Sequence, residues 1–372
     1  MTLDALVIGA GPAGSAAASL LAGGGWKVAL VEKATFPRRK VCGEFISATT
    51  HAVLDLCGVG DDFRSLAGPG VRRIALFSGE TLVTAKKEKN WGRALGREHL
   101  DMLMRDAAVA AGAILFQPAE LIAHDFTNDA HACHIKTETG EITLSAPILV
   151  AATGSWRSKQ PFGITEPPRG HDLLAFKAHF RGAALAAGSM PLVVFPGGYG
   201  GMVESDGGRT SLSCCIRREM LTELRRPGEA AGESVLRHLR ASTAGVRAAL
   251  QDAILDGAIL SAGPIRPGIR AAFHDGVFIT GNLAGEAHPI IAEGISMAIQ
   301  SSHLLVQHLL ARGKAAGPGY AAAWRKILTP RLAAARLFAG AALYAPGSAT
   351  LLVRAFPELL SFGADISGKA RA

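Results

Sequence analysis

The sequence predicts an α/β fold: a Rossmann-like nucleotide-binding domain, an inserted α+β substrate domain of sheet plus helices, and a helical C-terminal tail. Three observations predict it. First, the chain opens with a strand, a glycine turn, a helix and a second strand that ends in an acidic residue. Second, strand patterns recur between about 160 and 265. Third, the pattern at the end of the chain is helical. The expected boundaries are 1–70, 95–160 and 265–312 for the nucleotide-binding domain, 71–94 and 161–264 for the substrate domain, and 313–372 for the tail.

The opening turn reads Gly9-Ala10-Gly11-Pro12-Ala13-Gly14, between two short apolar runs. Gly9 allows the tight turn, Gly11 lets a pyrophosphate approach the backbone, and Gly14 lets the helix pack closely on the strand. The helix N-terminus presents free N–H groups and a positive dipole end to a phosphate. Glu32 ends the second apolar run and can accept hydrogen bonds from an adenosine ribose. The turn alone fits either NAD or FAD.

Length and cysteine content set further bounds. The 372 residues allow about two domains. The five cysteines are odd in number and form no C-x-x-C pair, which disfavours a disulfide framework or a zinc site and fits a reducing cytoplasm. His134 should point away from His131 and Cys133 on a strand, so no metal site is expected there. The N-terminal apolar run, Leu3 to Val7, is expected to form the first strand and not a signal peptide.

The net charge of +8 is concentrated at the end of the chain. Residues 311–372 contain nine Lys and Arg against two acids, which is +7. Aromatic residues make up only 6% of the chain, which disfavours a nucleic-acid partner. Two alternatives remain for the tail: it makes a peripheral contact with an anionic membrane, or its apolar face packs on the protein and closes the substrate cavity.

The predicted elements follow in order. Strands are expected at 72–77, 81–85, 131–136, 141–144, 148–151, 172–180, 192–195 and 210–216, and helices at 97–111, 217–226 and 229–241. A glycine-rich segment, 196–201, is placed between two strands. A late strand at 276–282 precedes a helix that runs to about Leu310, and the tail helices should break near Pro330, Pro346 and Pro357.

Taken together, these motifs resemble a large flavoprotein family that contains aromatic hydroxylases, geranylgeranyl reductases and flavin-dependent halogenases, with the reductase-like branch matching best. The resemblance covers residues 1 to about 310. Its matching parts are the glycine turn with Glu32, Pro37 with Val41-Cys42-Gly43-Glu44, Arg97 with Leu100-Asp101, Ala152-Thr153-Gly154, Gly281-Asn282, and Pro289 with Gly294-Ile295.

The resemblance implies FAD as the cofactor, with NAD(P)H or an electron-donor protein as the source of electrons. It implies that Arg97 contacts the flavin's ribityl or phosphate region, and that the helix from Glu293 aims its N-terminus at the flavin pyrimidine. The residues expected to bind the cofactor are Gly9, Gly11, Pro12, Ala13, Gly14, Glu32, Lys33, Arg39, Cys42, Gly43, Arg97, Gly154, Gly281, Asn282, Pro289, Gly294 and Ile295.

Four departures from the family pattern bear on the reaction. Asn282 stands where the family usually has Asp, so it offers a hydrogen bond without a charge. Thr153 replaces the Asp of the hydroxylase-type pair, which weakens direct NADPH handling. The W-x-W pattern of halogenases is absent, which disfavours halogenation, and Gly201 replaces a tryptophan of the reductases.

Cys42, Glu44, His288 and Glu293 are the candidate catalytic residues, the last three as proton donors. The first functional interpretation is a monooxygenase that hydroxylates an apolar aromatic or polyketide-like lipid through a flavin hydroperoxide. The enzymatic alternative is a reductase that saturates isoprenoid double bonds. An alternative of another class is a flavin-binding protein that docks a partner through its basic tail without turnover.

Overall fold

The computed structural model describes residues 2–85, 88–155, 162 and 167–369. The strands are β1 Ala5–Ile8, β2 Val28–Val31, β3 Phe45–Ser47, β4 Arg73–Ser78, β5 Thr81–Thr84, β6 Gly92–Ala94, β7 Ile114–Phe116, β8 Ala119–Thr127, β9 Ala130–Thr137, β10 Gly140–Ala146, β11 Ile148–Ala151, β12 Leu173–Arg181, β13 Ser189–Phe195, β14 Gly198–Glu204, β15 Thr210–Arg217, β16 Ile254–Leu255, β17 Leu260–Ile265, β18 Gly268–Ile269, β19 Phe273–His274, β20 Val277–Ile279 and β21 Gly285–Glu286. The helices are α1 Pro12–Gly23, α2 His51–Leu56, α3 Gly60–Leu66, α4 Arg97–Ala110, α5 Arg218–Leu224, α6 Ala231–Ser242, α7 Ala244–Ala249, α8 Gly294–Arg312, α9 Gly317–Tyr344, α10 Pro346–Ala355 and α11 Glu358–Ala364.

The N-terminal sheet has the strand order β19-β20-β11-β1-β2-β7. Its neighbouring strands are parallel, except that β19 is antiparallel to β20. The strands β1, β2 and β11 are buried throughout, as expected for parallel strands covered on both faces. The carboxyl ends of β1 and β11 meet at one edge, where the glycine turn follows β1. The predicted α/β class is therefore confirmed.

A larger mixed sheet has the order β16-β12-β15-β14-β13-β4-β5, with β17 also pairing with β12. The predicted strands at 72–77, 81–85, 172–180, 192–195 and 210–216 all belong to it. The predicted interval of glycines is different: Gly198 begins β14 rather than a loop. Glycine is required there because a Cβ at Gly198 would overlap the Cys215 carbonyl of β15 and the Phe195 ring.

The tail is helical, and α9 joins the two parts of the molecule. Tyr320, Trp324 and Leu332 pack in the core beside the N-terminal sheet, whereas Ala339 and Ala342 pack in a core beside the large sheet. Fully burying a side chain such as Leu332 stabilises the fold by about 1.5–3 kcal/mol. One face of α9 therefore attaches the tail to both cores.

The predicted break at Pro330 is wrong, because α9 continues from Gly317 to Tyr344 through this residue. Pro330 is exposed, while Leu328 and Leu332 on either side of it are buried. Burial of these neighbours offsets the missing backbone hydrogen bond. The predicted breaks near Pro346 and Pro357 are confirmed, since α10 and α11 begin there.

Candidate functional site

The glycine turn lies between β1 and α1 and depends on two close approaches. Gly9 has φ +103°, and a Cβ there would lie 2.5 Å from the Ala152 carbonyl oxygen. A Cβ at Gly14 would overlap the Gly9 carbonyl oxygen. Gly11 differs, because a Cβ there would have a single neighbour within 4 Å, Arg97 Nη2 at 3.8 Å. The backbone of Gly11 therefore faces open space beside a guanidinium group.

Arg97 supplies positive charge at this opening. Its Nε and Nη2 donate to Asp101 Oδ1 and Oδ2 at 2.7 and 2.9 Å, which fixes the plane of the guanidinium. Although burial opposes its charge, Asp101 and Cys42 together raise the pKa of Arg97. A fixed cation beside the N-terminus of α1 is what a pyrophosphate requires. Among the described residues, Thr153 Oγ1 is also buried beside Gly9 without a hydrogen-bond partner, which fits a ligand hydroxyl.

Glu32 lies at the end of β2, as the motif predicts. Its carboxylate accepts hydrogen bonds from the backbone N–H groups of Ala10 and Ala34 at 2.9 and 2.8 Å. Arg38 donates to both oxygens, at 2.7 and 3.3 Å. These bonds fill the four acceptor positions, so a ribose hydroxyl would bind Glu32 in place of one Arg38 bond.

Two predicted cofactor residues make other contacts. Lys33 is exposed and lies 3.8 Å from Glu120 on β8. Arg39 Nε lies 3.3 Å from Glu98, and its Nη1 donates to the Asp256 carbonyl at 3.0 Å. These contacts direct Arg39 towards the larger sheet, so its predicted role at FAD has no support in this geometry.

The late strand β20 brings a second set of residues to the turn. Gly281 has φ +65°, and a Cβ there would lie 2.9 Å from Ala13 Cβ on α1. Asn282 follows and donates from Nδ2 to Glu286 Oε1 at 3.3 Å. Because Glu286 is a buried acid, an aspartate at 282 would oppose a second carboxylate. This contact gives a physical reason for the departure from the family's Asp.

The N-terminus of α8 points into the site. Pro289 begins a short turn, Ala292 has φ +51°, and Gly294 and Ile295 then line a large cavity. The N-terminus of α8 therefore borders the cavity, where the helix dipole favours negative charge, and its orientation towards a flavin stays a prediction. Glu293 precedes the helix, is fully buried, and accepts a hydrogen bond from Ser47 Oγ at 3.1 Å.

The cavity has a volume of about 720 Å³. Its walls come from the loop 41–45, the strands β4, β13, β14 and β15, the segment 286–295, and the helices α9, α10 and α11. Apolar side chains dominate this lining. Because α9, α10 and α11 all contribute to the lining, the helical tail forms one wall of the cavity.

Glu44 is the most constrained residue of the loop 41–45. It is fully buried with φ +64°, and its carboxylate contacts Lys177 Nζ and, at 2.9 Å, His179 Nε2. Burial opposes its ionisation, but the hydrogen bond from His179 and the charge of Lys177 outweigh this and lower the pKa of Glu44 to about 2. Such a group carries no proton at neutral pH. The structure therefore corrects the predicted proton donor to a charged anchor that ties the loop to β12.

Lys177 and His179 were not singled out from the sequence. Both are nearly fully buried on β12, in a strand whose other residues are mostly apolar. Two titratable residues at positions i and i+2 share one face of a strand. This alternation of two titratable residues could have indicated a polar cluster on β12. Their partner, Glu44, is 133 residues away from Lys177 along the chain, and only the fold brings the three residues together.

Two further predicted residues lie at the cavity. Cys42 lines it, with the Glu44 N–H 3.4 Å from its Sγ. His288 Nδ1 shares a 3.1 Å hydrogen bond with the Tyr199 hydroxyl, and both residues line the cavity. Burial and then the charge of Arg336 lower the pKa of His288 to about 4. His288 is therefore neutral at pH 7, and Tyr199, whose pKa is raised by burial, keeps its proton.

Part of this chain is similar in sequence to a known reductase. The menaquinone reductase of Mycobacterium tuberculosis is 36% identical over 126 residues, which are 33% of this chain and 31% of the reductase. The match therefore spans about a third of the length of that relative.

Solved structures match nearly the whole chain at low identity and show the fold. The flavin-dependent brominase Bmp2 has a TM-score of 0.79 at 16% identity, covering 100% of this chain and 94% of the brominase. Pseudomonas aeruginosa PqsL in complex with 2-aminobenzoylacetate has 0.75 at 19%, covering 92% and 97%. A geranylgeranyl bacteriochlorophyll reductase-like protein of Thermoplasma acidophilum has 0.72 at 18%, covering 98% and 99%.

The family model described as "FAD binding domain" matches residues 2–321, most of the chain. This match agrees with the glycine turn, the late strand and the N-terminus of α8. The resemblance inferred from the sequence is confirmed: the chain belongs to the FAD binding domain family, whose flavin-dependent enzymes include reductases and monooxygenases.

Proposed function

We propose that this FAD-dependent oxidoreductase saturates a carbon–carbon double bond in a long apolar lipid of the isoprenoid class. One observation carries the proposal: the cavity of about 720 Å³ has apolar walls and is bounded by the helical tail. Burial of apolar area drives the binding of a chain-like apolar substrate in such a space. The partial match to a menaquinone reductase, named for a quinone with an isoprenoid chain, supports the same substrate class.

In the proposed reaction the cofactor supplies the electrons, and the side chains supply and position the protons. Bound FAD, when reduced, supplies two electrons to the substrate. Saturation also needs protons, and Tyr199 and Cys42, which carry a hydroxyl and a thiol, both line the cavity. His288 can hold the Tyr199 hydroxyl in place through their 3.1 Å hydrogen bond. Glu44 keeps the loop 41–45 against β12, so the position of Cys42 depends on it.

The monooxygenase inferred from the sequence is the second candidate. The apolar wall favours it too, because exclusion of water protects a reactive oxygen species from side reactions. PqsL, a chain of this fold, holds the aromatic compound 2-aminobenzoylacetate. Both candidates accept an apolar substrate, and they differ in whether oxygen is consumed.

A single-turnover experiment separates them. The purified protein is reduced with dithionite under argon, mixed with an isoprenoid quinone whose side chain is unsaturated, and the product is analysed by mass spectrometry. Because dithionite also reduces the quinone ring to the hydroquinone, the lipid is separated from the protein and reoxidised to the quinone before analysis. We then expect two added hydrogen atoms in the side-chain fragment, from a reaction run without oxygen. Product that appears only after air is admitted, with one added oxygen atom, would establish the monooxygenase instead. NADH and NADPH are compared as donors in the same assay.

A matched pair of variants tests the role of the cavity wall. Tyr199→Phe removes the hydroxyl of a residue that lines the cavity, whereas Thr222→Val removes one on α5 that bonds its own helix backbone at 3.0 Å. We expect single-turnover saturation to slow by about 10²-fold in the first variant and to be unchanged in the second. Equal rates in Tyr199→Phe and wild type would exclude Tyr199 as the proton source.

A further inference from the structure

The C-terminal helices carry an exposed apolar surface, here called the tail patch. It consists of Leu337, Tyr344, Leu351, Leu352, Phe356 and Phe362. Leu337 and Tyr344 are each about 70% exposed and, seven residues apart, share one face of α9. The helix α10 has no buried residue at all. One face of α9 is therefore buried against the rest of the protein, whereas large apolar side chains remain exposed on the opposite face of α9 and on α10 and α11.

The tail patch is continuous with the cavity. Leu352 and Phe362 are both more than half exposed, and both also line the cavity. An apolar substrate can thus pass from the outer surface to the interior along side chains of the same character. A protein partner that covered the patch would close this path, whereas a fluid apolar phase would keep it open.

The charges around the patch favour an anionic surface. Arg336 and Arg354 are exposed beside the patch residues of α9 and α10. Arg217 lies with its guanidinium 5.6 Å from the centroid of the Tyr344 ring, at the end of α9. Three acids lie nearby: Asp365 lies 3.2 Å from Lys89 Nζ, Glu219 pairs with Arg217 at 2.7 Å, and Glu358 is exposed near Phe356. Residues 311–372 still contain nine Lys and Arg against two acids, a net charge of +7. Aromatic and basic residues around an apolar face are typical of helices at a membrane interface.

We propose that the tail patch docks on an anionic lipid bilayer and takes its apolar ligand from that bilayer. In the described chain, no helix is long and apolar enough to cross a membrane, so the contact is peripheral. The docking half of the inference rests on the surface alone. The ligand-uptake half rests on the proposed function.

Vesicle co-sedimentation tests the docking, without substrate or turnover. The holoprotein is mixed with vesicles of phosphatidylcholine alone or of phosphatidylcholine with phosphatidylglycerol. We expect binding to the anionic vesicles at low salt, and loss of binding at high salt. The double variant Leu351→Glu/Phe356→Glu should lower the partition coefficient by about tenfold or more, because it places charges on the face that inserts.

The matched control is Ile254→Glu. Ile254 is 74% exposed, similar to Leu351, but it lies on the edge strand β16 of the large sheet. This variant should bind vesicles like the wild type. All variants should keep their flavin absorbance and melting temperature, since no buried group changes. Binding that Leu351→Glu/Phe356→Glu leaves intact, or no sedimentation with anionic vesicles at low salt, would overturn the proposal.

Light scattering addresses a second copy of the chain as the occupant. A dimer that Leu351→Glu/Phe356→Glu converts to a monomer would assign the patch to self-association and overturn membrane docking. The outcome for function is separate: a protein that saturates a detergent-dispersed lipid but binds no vesicle refutes only the docking. A protein that binds vesicles but transforms no lipid refutes only the proposed reaction.

Discussion

The nucleotide-binding turn spans six consecutive residues, Gly9 to Gly14, whereas the walls of the cavity come from stretches scattered between Val41 and Ser367. At the turn, the Cβ positions of Gly9 and Gly14 fall on backbone atoms that cannot move away. The cavity wall instead consists of side chains that tolerate exchange for others of similar volume. A site for a common cofactor can thus stay rigid while the adjoining space adapts to a particular substrate.

The largest expected effect separates two glycines within the turn. Gly14→Ala places a Cβ on the Gly9 carbonyl oxygen, so we expect a loss of about 4–5 kcal/mol or more in the free energy of unfolding. Gly11→Val should fold normally, because the nearest atom to a Cβ there is Arg97 Nη2 at 3.8 Å, but its side chain fills the pyrophosphate position. Urea unfolding and flavin absorbance measure the two effects. A yellow Gly11→Val protein with full FAD occupancy would contradict the assignment of the turn.

The next effect concerns the buried contact of Glu44 with Lys177 and His179, which ties the loop 41–45 to β12. Lys177→Met leaves the buried Glu44 carboxylate with His179 alone, and we expect a cost of about 3 kcal/mol in unfolding free energy. The double variant Glu44→Gln/Lys177→Met should recover part of this loss, because no buried charge is left without its lysine. If the double variant is no more stable than Lys177→Met, the two charges do not act as a pair.

The same anchor predicts an acid dependence. Glu44 has a pKa of about 2 in the folded chain against an ordinary value of 4.5, so it stabilises the fold above pH 4.5 and this contribution is lost as the pH falls towards 2. In Lys177→Met the pKa of Glu44 should rise towards 4.5, so acidification from pH 4.5 to 2 should cost this variant less stability than it costs the wild type. Thermal melts across this range give the comparison, with the wild type as reference.

A smaller effect is expected where the late strand meets the turn. Asn282→Ala should weaken FAD binding by about 1 kcal/mol, the value of one hydrogen bond. The sequence predicts that Asn282→Asp keeps FAD, but the 3.3 Å contact with Glu286 predicts that it weakens binding. Flavin titration of Asn282→Asp and of Asn282→Asp/Glu286→Gln decides between them. Recovery in the double variant supports the structural explanation, and equal affinity in wild type and Asn282→Asp supports the sequence.

The smallest effect is a pH slope on the cavity side. Because the pKa of His288 is about 4 in the folded chain and 6.5 ordinarily, the unfolded chain takes up the proton first. Stability therefore falls as the pH drops from 6.5 to 4, and His288→Asn should reduce proton uptake on unfolding near pH 5 by up to about one proton. His131→Asn, on β9, serves as a comparison, since the pKa of His131 is also about 4. An unchanged slope in His288→Asn would show that His288 is protonated in the cavity.

The residues that the sequence determined by itself lie close together along the chain. Gly9, Gly14 and Glu32 act within one strand–helix–strand unit, so their spacing alone specifies the turn and its acid. The strand at 148–151 and the helix at 97–110 were likewise predictable from their apolar periodicity. The family resemblance followed because several such local units occur in a characteristic order.

Tertiary structure decided the features that depend on distant partners. Pro330 lies inside a helix because Leu328 and Leu332 on either side of it are buried, and Gly198 lies in a strand because β15 passes close to it. Glu44 became an anchor only when β12 brought Lys177 and His179 to it. The tail had two alternatives on sequence grounds, and α9 carries both a packed face and an exposed one. Local spacing specifies backbone conformation, but burial and charge pairing arise between segments that only the folded chain brings together.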